Sequence, residues 1–333
     1  MHFRPRILAA VSILTLAACG RQSGLHPNSQ VGETREELVY GVSVVFSETA
    51  HLMPLQYESA APVFPIVGDG SEDAFPIPPD GSLSVEEQES NDDSSTTAAA
   101  GLPHLLYYGG PVMPNVKVVT IFWGANVNNQ AALNRFYSTI TNSPYIDWLR
   151  QYSTRTQAIG RGRLSASYVD RNHPPGASIT NQQIQAELNR LIAARAVPAN
   201  DGNTLYMVHF PAGISISMGT SRSCVQFCAY HSTFQRAGSN VYYGVMPDLS
   251  GACARGCGPN TYFNNTTSTS SHELIESITD PAVGLATRLG PPLAWYDSRY
   301  GEIADICNQN QTVVAGFTVQ RGWSNAGNFC RAQ

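Results

Sequence analysis

The sequence predicts an α/β or α+β fold in which helices flank a mixed β-sheet. Apolar, β-branched runs of strand length, such as residues 116–123, alternate with segments of helical periodicity. The clearest helix covers residues 180–196, where Thr180 can cap the start and apolar residues recur on one face. Six cysteines in the second half predict that disulfides stabilise this fold.

The remaining elements follow from apolar periodicity and from proline positions. A helix over residues 144–152 has Pro144 in its first turn, and a helix over residues 267–279 ends where Asp280 precedes Pro281. A further helix is predicted over residues 129–141. Five strands are predicted over residues 164–169, 205–210, 227–234 (strand or irregular), 241–245 and 312–319.

The N-terminus has the features of an export signal. Arg4 and Arg6 precede an apolar run over residues 7–18, which is too short to span a bilayer but typical of a secretory signal. The run ends in Ala17-Ala18-Cys19, which resembles the lipobox of bacterial lipoproteins. We therefore predict a signal peptide over residues 1–19 and a lipid on Cys19 that anchors the chain to a membrane. The alternative is an ordinary signal peptide. Either predicts an exported protein, whether periplasmic, at the cell surface or secreted.

Six cysteines remain after Cys19, and an even number in an exported chain predicts three disulfides. Cys224 and Cys228 have the same spacing as Cys253 and Cys257. We predict that these two pairs are cross-linked to each other and that Cys307 is joined to Cys330. A zinc site of four cysteines is the alternative, but thiolates are vulnerable in an oxidising compartment.

Charge divides the chain into two parts. Residues 36–115 contain thirteen acidic residues and no lysine or arginine, and their second half is rich in Pro, Gly, Ser and Asp. We therefore predict that residues 20–100 form a largely disordered acidic tether or a propeptide, with partial order around residues 38–46, and that residues 101–333 form one globular domain. The net charge of −5 argues against a nucleic-acid-binding protein. The oligomeric state is not predicted.

The strongest chemical motif is His272-Glu273-Leu274-Ile275-Glu276. On a helix, His272 and Glu276 lie on one face and can bind the same zinc ion. In zincin metallopeptidases, the glutamate that follows the first histidine is the general base, which assigns that role to Glu273. A zincin-like fold is the corresponding expectation.

A third ligand must come from elsewhere, and we predict Glu302, with Asp305 orienting His272. Asp297, Asp280 and His231 are alternative ligands or neighbours of the site. Zn²⁺ is the predicted cofactor. Ca²⁺ is the alternative, because oxygen-rich ligation favours it. A purely structural interpretation also exists: Ser270 and Glu273 have the spacing of a capping box at a helix start, with Glu276 on a solvated face.

Several segments resemble the exordium, or phosphate-induced, protein family of plant cell walls. The residues that carry the resemblance extend over 105–330: Tyr107-Tyr108-Gly109-Gly110-Pro111-Val112, Phe122-Trp123-Gly124, the paired cysteine segments followed by His231, and the stretch from Asp280-Pro281 to residues 302–307. The resemblance implies an extracellular, disulfide-bonded protein, but it implies no particular reaction.

Two functions are consistent with these features. The first is a surface-anchored, zinc-dependent peptidase or amidohydrolase that acts on a peptide or a cell-wall component. The second is a non-enzymatic surface protein of the exordium type, with a structural ion or none.

Overall fold

In a computed structural model, the described residues are 29–30, 34–39, 42–55 and 101–333. The predicted signal peptide and Cys19 lie outside these residues, as does the segment 56–100. Among the described helices, none has the length and apolar character needed to cross a membrane.

The described part of the chain is mixed α/β, with few helices and many strands. The strands are β1 (Ser29–Gln30), β2 (Thr34–Val39), β3 (Val42–Ser47), β4 (Ala50–Pro54), β5 (Leu106–Tyr107), β6 (Asn115–Trp123), β7 (Gly160–Asp170), β8 (Ser178–Thr180), β9 (Thr204–His209), β10 (Ser215–Met218), β11 (Ser221–Arg222), β12 (Phe227–Arg236), β13 (Ser239–Met246), β14 (Trp295–Tyr296), β15 (Gln311–Val314), β16 (Phe317–Gln320), β17 (Gly322–Ser324) and β18 (Phe329–Arg331). The helices are α1 (Gln130–Ile140), α2 (Pro144–Asp147), α3 (Asn181–Ala193) and α4 (Tyr262–Thr279), with short 3₁₀ turns at Trp148–Tyr152, Gly251–Arg255, Val283–Leu285 and Asp305–Cys307.

One large mixed sheet organises the fold. Its strand order is β1-β4-β12-β13-β9-β6-β7, and β3 also pairs with β12. The strands β13, β9, β6 and β7 run parallel, whereas β12 and β4 continue the sheet in antiparallel fashion. This confirms the predicted mixed sheet.

Both faces of the sheet are covered, since residues alternate between two hydrophobic clusters. Along β6, Val118 belongs to the cluster on the side of α1 and α4, whereas Val119 belongs to the cluster on the side of α3. Helix α3 begins at the predicted cap, where the Thr180 side chain and Gln183 form a capping box.

Three local predictions differ from the structure. The predicted strand 312–319 is a hairpin of β15 and β16, because Ala315 and Gly316 both adopt positive φ and form its two-residue turn. The predicted helix 144–152 is α2 followed by a 3₁₀ turn. Helix α4 begins at Tyr262 instead of residue 267, which lengthens it by more than a turn.

The largest difference concerns the predicted tether. Within the range 20–100, the expectation of order around residues 38–46 agrees with β2 and β3, but the order extends to β4 at residues 50–54. Strand β4 is fully buried and pairs with β12 inside the main sheet. Its apolar residues supply enough buried surface to offset the entropy of ordering, which the acidic composition of the wider segment concealed. Residues 47–55, which the prediction placed in the tether, are therefore part of the folded structure.

The three predicted disulfides are confirmed. Cys224 is bonded to Cys253 and Cys228 to Cys257, so the two CxxxC segments are cross-linked, and Cys307 is bonded to Cys330. The alternative of a four-cysteine zinc site is excluded, since all four thiols are consumed in these bonds.

Candidate metal centre

Helix α4 places the predicted motif in the interior of the molecule. From Asn265 to Thr279 every residue of the helix is buried, although most are Ser, Thr or other polar residues. Two of the hydroxyl groups bond to β16: the hydroxyl of Thr267 donates to the carbonyl of Thr318, and the hydroxyl of Ser271 accepts from the backbone N–H of Gln320. Small polar side chains thus let the helix pack closely against β16.

His272 and Glu276 face the same side of α4, as their spacing predicts. Nε2 of His272 lies 3.1 Å from Oε1 of Glu276. Because the helix starts at Tyr262, Ser270 lies in its middle and its hydroxyl contacts the sulfur of Met246. The capping-box interpretation is therefore wrong, and so is the solvated position for Glu276, which is fully buried.

Two neighbouring strands supply two further histidines. His231 of β12 pairs in register with His51 of β4. Side chains alternate between the two faces of a strand. The cluster on the α3 side contains both neighbours of His51 and also Tyr230, which precedes His231. Both imidazoles therefore point to the opposite face, towards α4. Strand pairing thus fixes the two rings beside each other.

A loop and a 3₁₀ turn supply two carboxylates. The side chain of Asp305 accepts a hydrogen bond from the backbone N–H of Glu302, and Oε1 of Glu276 accepts one from the backbone N–H of Asp305. The Cys307–Cys330 disulfide and a backbone hydrogen bond from Trp323 to Ile303 attach this loop to the C-terminal strands. The loop is therefore held against the end of the motif on α4.

Six side chains form a closed, alternating cycle that we term the His–carboxylate ring: His51, Glu302, His231, Glu276, His272 and Asp305. Every neighbouring pair brings an imidazole nitrogen within 4 Å of a carboxylate oxygen. The distances in that order around the ring are 3.5, 3.4, 3.5, 3.1, 3.7 and 2.9 Å. Three overlapping groups of one histidine and two carboxylates result, each with ligand atoms within 4.8 Å of one another.

These separations fit ligands of a shared cation. Two ligands about 2.1 Å from a tetrahedral zinc ion lie about 3.4 Å apart. Several ring atoms also lack any hydrogen bond of acceptable geometry among the described residues, although they are buried. They include both nitrogens of His272, both oxygens of Glu302, Oε2 of Glu276 and Oδ1 of Asp305. Buried polar atoms seldom remain without such a partner, so this donor set fits a divalent metal ion.

The carboxylates of the ring create an electrostatic field that favours a cation beside them. Burial acts to lower the pKa of His51, but the charges of Asp305 and Glu302 outweigh it and raise that pKa to about 9. For His272, burial likewise lowers the pKa, and Glu276 raises it to about 10. Burial raises the pKa of Glu276, yet the neighbouring histidines pull it below its usual range. The field that retains protons on the imidazoles also attracts a metal ion, which must displace those protons to bind.

Glu273 lies beside the ring and contacts His231. Its Oε2 is 3.2 Å from Nδ1 of His231, at hydrogen-bond distance, and its Oε1 has no hydrogen-bond partner among the described residues. A carboxylate that accepts from Nδ1 leaves Nε2 of His231 available as a ligand. Burial raises the pKa of Glu273 to about 7, although His231 and His272 oppose the shift.

The remaining predicted site residues have other environments. Asp280 is buried, and its Oδ1 accepts a hydrogen bond from the backbone N–H of Ala294. Burial and the charge of Glu302 raise its pKa well above the usual range. Asp297 accepts hydrogen bonds from the backbone N–H groups of His104, Arg299 and Tyr300, so it organises a turn and belongs to none of the three candidate groups.

The structure brings together the predicted ligands His272, Glu276 and Glu302 within one ring, but it also adds members. Asp305, predicted to orient His272, lies 3.7 Å from that imidazole and is itself a candidate ligand, as is His231. The predicted ligand set omits His51 altogether. The signal was the apolar run at residues 50–55 with a single histidine inside it, which indicates a buried strand in an otherwise acidic segment.

Comparisons with protein families, with curated proteins and with solved structures find no match for this chain. The resemblance to the exordium family therefore stays a prediction that rests on the quoted residues.

Proposed function

We propose that this protein is an exported, metal-dependent hydrolase whose ion is held by the His–carboxylate ring. The proposal rests on buried imidazole nitrogens and carboxylate oxygens that lie within 4.8 Å of one another, a separation that suits metal ligands. Several of these atoms have no hydrogen bond among the described residues. Each candidate group contains a histidine nitrogen, which favours a transition metal such as Zn²⁺ over Ca²⁺.

The proposed ligands from the domain come from two of the three candidate groups, which share Glu276: one also contains His231 and Glu302, and the other also contains His272 and Asp305. When bound, a divalent metal supplies Lewis acidity and makes water a stronger acid near neutral pH. Glu273 is the proposed general base, because its Oε1 has no hydrogen bond with any described residue and its Oε2 is at hydrogen-bond distance from His231. A helix with this motif packed against a sheet also supports a zincin-like fold, which we propose with the function.

A non-enzymatic protein with a structural ion is the second candidate, and one specific observation favours it. Every residue of the ring is buried, with at most 5% of any of them exposed. Structural metal sites are closed, whereas catalytic sites keep a position for solvent. Hydrolysis therefore requires a second conformation in which substrate reaches the ring.

Export and anchoring belong to the same proposal. The three disulfides support an oxidising compartment outside the cytoplasm. The proposed lipid on Cys19 would hold the protein at a membrane, in the periplasm or at the cell surface, where peptides or cell-wall material are accessible substrates.

Elemental analysis of the full chain, purified with its disulfides formed, tests the metal site directly. We expect about one equivalent of a transition metal. Protein that purifies without metal, and whose melting temperature does not change when Zn²⁺ is added, contradicts the proposal.

The Glu273→Gln variant tests catalysis separately. It should retain the metal and lose hydrolysis of a peptide library by a factor of about 10² to 10⁴, the usual contribution of a general base. Glu187→Gln is the matched control, because Glu187 pairs with Arg190 on helix α3, outside the ring. A wild-type protein that holds metal but cleaves no peptide, in any conformation obtained, supports the structural ion.

A further inference from the structure

The N-terminal segment 42–55 is part of the candidate metal centre, although residues 56–100 separate it in sequence from the domain. Without this segment, β12 would be the last strand of the sheet among the described residues, since its only other neighbour is β13. Strand β4 pairs with β12 from Phe227 to Ser232, and His51 lies opposite His231. The segment thus completes the sheet at the strand that carries a proposed ligand.

His51 closes the His–carboxylate ring. Its Nδ1 lies 2.9 Å from Oδ2 of Asp305 and 3.5 Å from Oε2 of Glu302. These two carboxylates each have one other imidazole neighbour in the ring, His272 and His231 respectively. The candidate group of His51, Glu302 and Asp305 exists only because the N-terminal segment is docked.

The loop that carries Glu302 and Asp305, which we term the ligand loop, has a glycine where it meets the His51 imidazole. Gly301 has a φ of +87°, and a Cβ there would lie 3.1 Å from Cε1 of His51 and 2.5 Å from Oδ2 of Asp305. Tyr296 packs edge-on against His51, with ring centroids 5.8 Å apart. The loop backbone therefore approaches His51 closely, which a side chain at position 301 would prevent.

The segment also makes hydrophobic contacts and hydrogen bonds outside the ring. Val44 and Phe46 join the hydrophobic cluster on the α3 side. The backbone carbonyl of Ser47 accepts from the amide of Asn181, and the carbonyl of Thr49 accepts from the hydroxyl of Ser232. These contacts attach the segment to the sheet, and Asn308 donates to the carbonyl of Pro54. His51 is the residue of the segment that contacts the candidate ligands Glu302 and Asp305.

We propose that His51 is a metal ligand supplied by the N-terminal segment, so that the bound ion fastens strand β4 to the domain and docking of the strand completes the metal site. This inference rests on the proposed function, because it requires that the ring binds metal. By reciprocity, the ion must stabilise the docked strand by the same factor by which the docked strand strengthens metal binding.

Hydrogen–deuterium exchange of the full wild-type chain tests this coupling without any variant. Spectra are compared for protein loaded with Zn²⁺ and for protein treated with a chelator. We expect chelation to accelerate exchange of the amides in residues 42–55 by at least about tenfold, with a much smaller change in β9, which lies two strands away from β12. Equal protection of residues 42–55 with and without Zn²⁺ overturns the proposal.

The His51→Gln variant provides the second measurement. It should bind Zn²⁺ more than about 100-fold more weakly, because even residues that only orient a ligand contribute about 10- to 100-fold. Its Co²⁺ complex should also have a changed absorption spectrum. His209→Gln is the matched control, since His209 is buried, is hydrogen-bonded to the hydroxyl of Tyr137 and belongs to no candidate group.

The outcomes separate this inference from the proposed function. If wild-type protein binds no metal, both are wrong. If wild-type protein and His51→Gln bind Zn²⁺ with equal affinity and give the same Co²⁺ spectrum, the ring is a metal site but His51 is not a ligand, and this inference alone fails.

Discussion

The molecule has an open cleft and a closed ring, and they differ in both access and chemistry. The cleft lies where the parallel strands β6, β7 and β9 end, has a volume of about 380 Å³ and is lined by residues such as Gly124, Asn126, Pro175 and Pro211. No titratable side chain lines it. The His–carboxylate ring lies on the α4 side of β12, contains six titratable groups and is buried.

The candidate metal ligands therefore lie away from the place where ligands usually bind in this kind of sheet. In open α/β sheets, ligands commonly bind outside the carboxyl ends of the parallel strands. Here that edge offers prolines and amides, whereas the imidazoles and carboxylates come from the antiparallel extension of the sheet, from α4 and from a C-terminal loop. Among the described residues, the candidate groups for a metal ion belong to the ring and not to the cleft.

The Glu276→Gln variant should give the largest difference in Zn²⁺ affinity between a change in the ring and a change in the cleft. Glu276 belongs to two of the three candidate groups, so its loss should weaken Zn²⁺ binding by more than about 100-fold. The measurement is Zn²⁺ affinity in competition with a chromophoric chelator. Asn126→Ala in the cleft should leave that affinity unchanged. Comparable losses in the two variants would mean that the cleft and the ring are not independent.

Removal of the Cys307–Cys330 disulfide, as a double Cys→Ala variant, should affect both stability and metal binding. The bond closes a loop between residues 23 positions apart, which corresponds to about 3 kcal/mol of unfolding free energy. Urea denaturation measures the loss, and Zn²⁺ affinity should fall too, because Cys307 is two residues from Asp305. The matched control is the Cys224–Cys253 bond, which spans 29 positions and lies outside the ligand loop. Equal effects of both variants on metal affinity would contradict a specific role for the loop.

Substitution of Gly301 by alanine should disturb the ring directly. The new Cβ would collide with Asp305 and crowd His51, at a cost of about 1–3 kcal/mol, and it should also weaken Zn²⁺ binding. Gly316→Ala isolates the backbone contribution, since Gly316 has a similar φ of +83° but no atom within 4 Å of the point where a Cβ would lie. Thermal unfolding and Zn²⁺ titration of both variants give the comparison. Unchanged metal affinity in Gly301→Ala would be the contrary result.

The smallest expected effect is that of His209 on the stability of the protein at acidic pH. Burial lowers its pKa from 6.5 to about 3, so the folded state excludes a proton that the unfolded chain binds below pH 6.5. Stability should therefore fall as the pH decreases from 6.5 towards 3, and His209→Gln should remove about 2 kcal/mol of the difference between pH 7 and pH 5. Urea denaturation at both pH values measures it, with His173→Gln as the control because that side chain is largely exposed. An unchanged difference in His209→Gln would show that other groups carry the acid sensitivity.

Local patterns in the sequence predicted much of the fold. Periodicity located β6, β9, β13 and α3, and the cap at Thr180 followed from residue type. The cysteine spacing indicated that the two CxxxC segments are cross-linked, but not which cysteine bonds to which. Each of these depends on neighbours in sequence or on a choice among few partners. The turn at Ala315 and Gly316 was missed, because its positive φ angles are a backbone property that alanine does not signal.

That His272 and Glu276 share one face of a helix could be predicted from the sequence, because helical spacing fixes that relation locally. That His51 and His231 lie beside them follows from the three-dimensional fold. Their positions depend on the register of two strands some 180 residues apart, and no local pattern encodes such a pairing. Burial was likewise decided at that level, since the packing of α4 against the sheet turned a polar helix into the interior of the molecule.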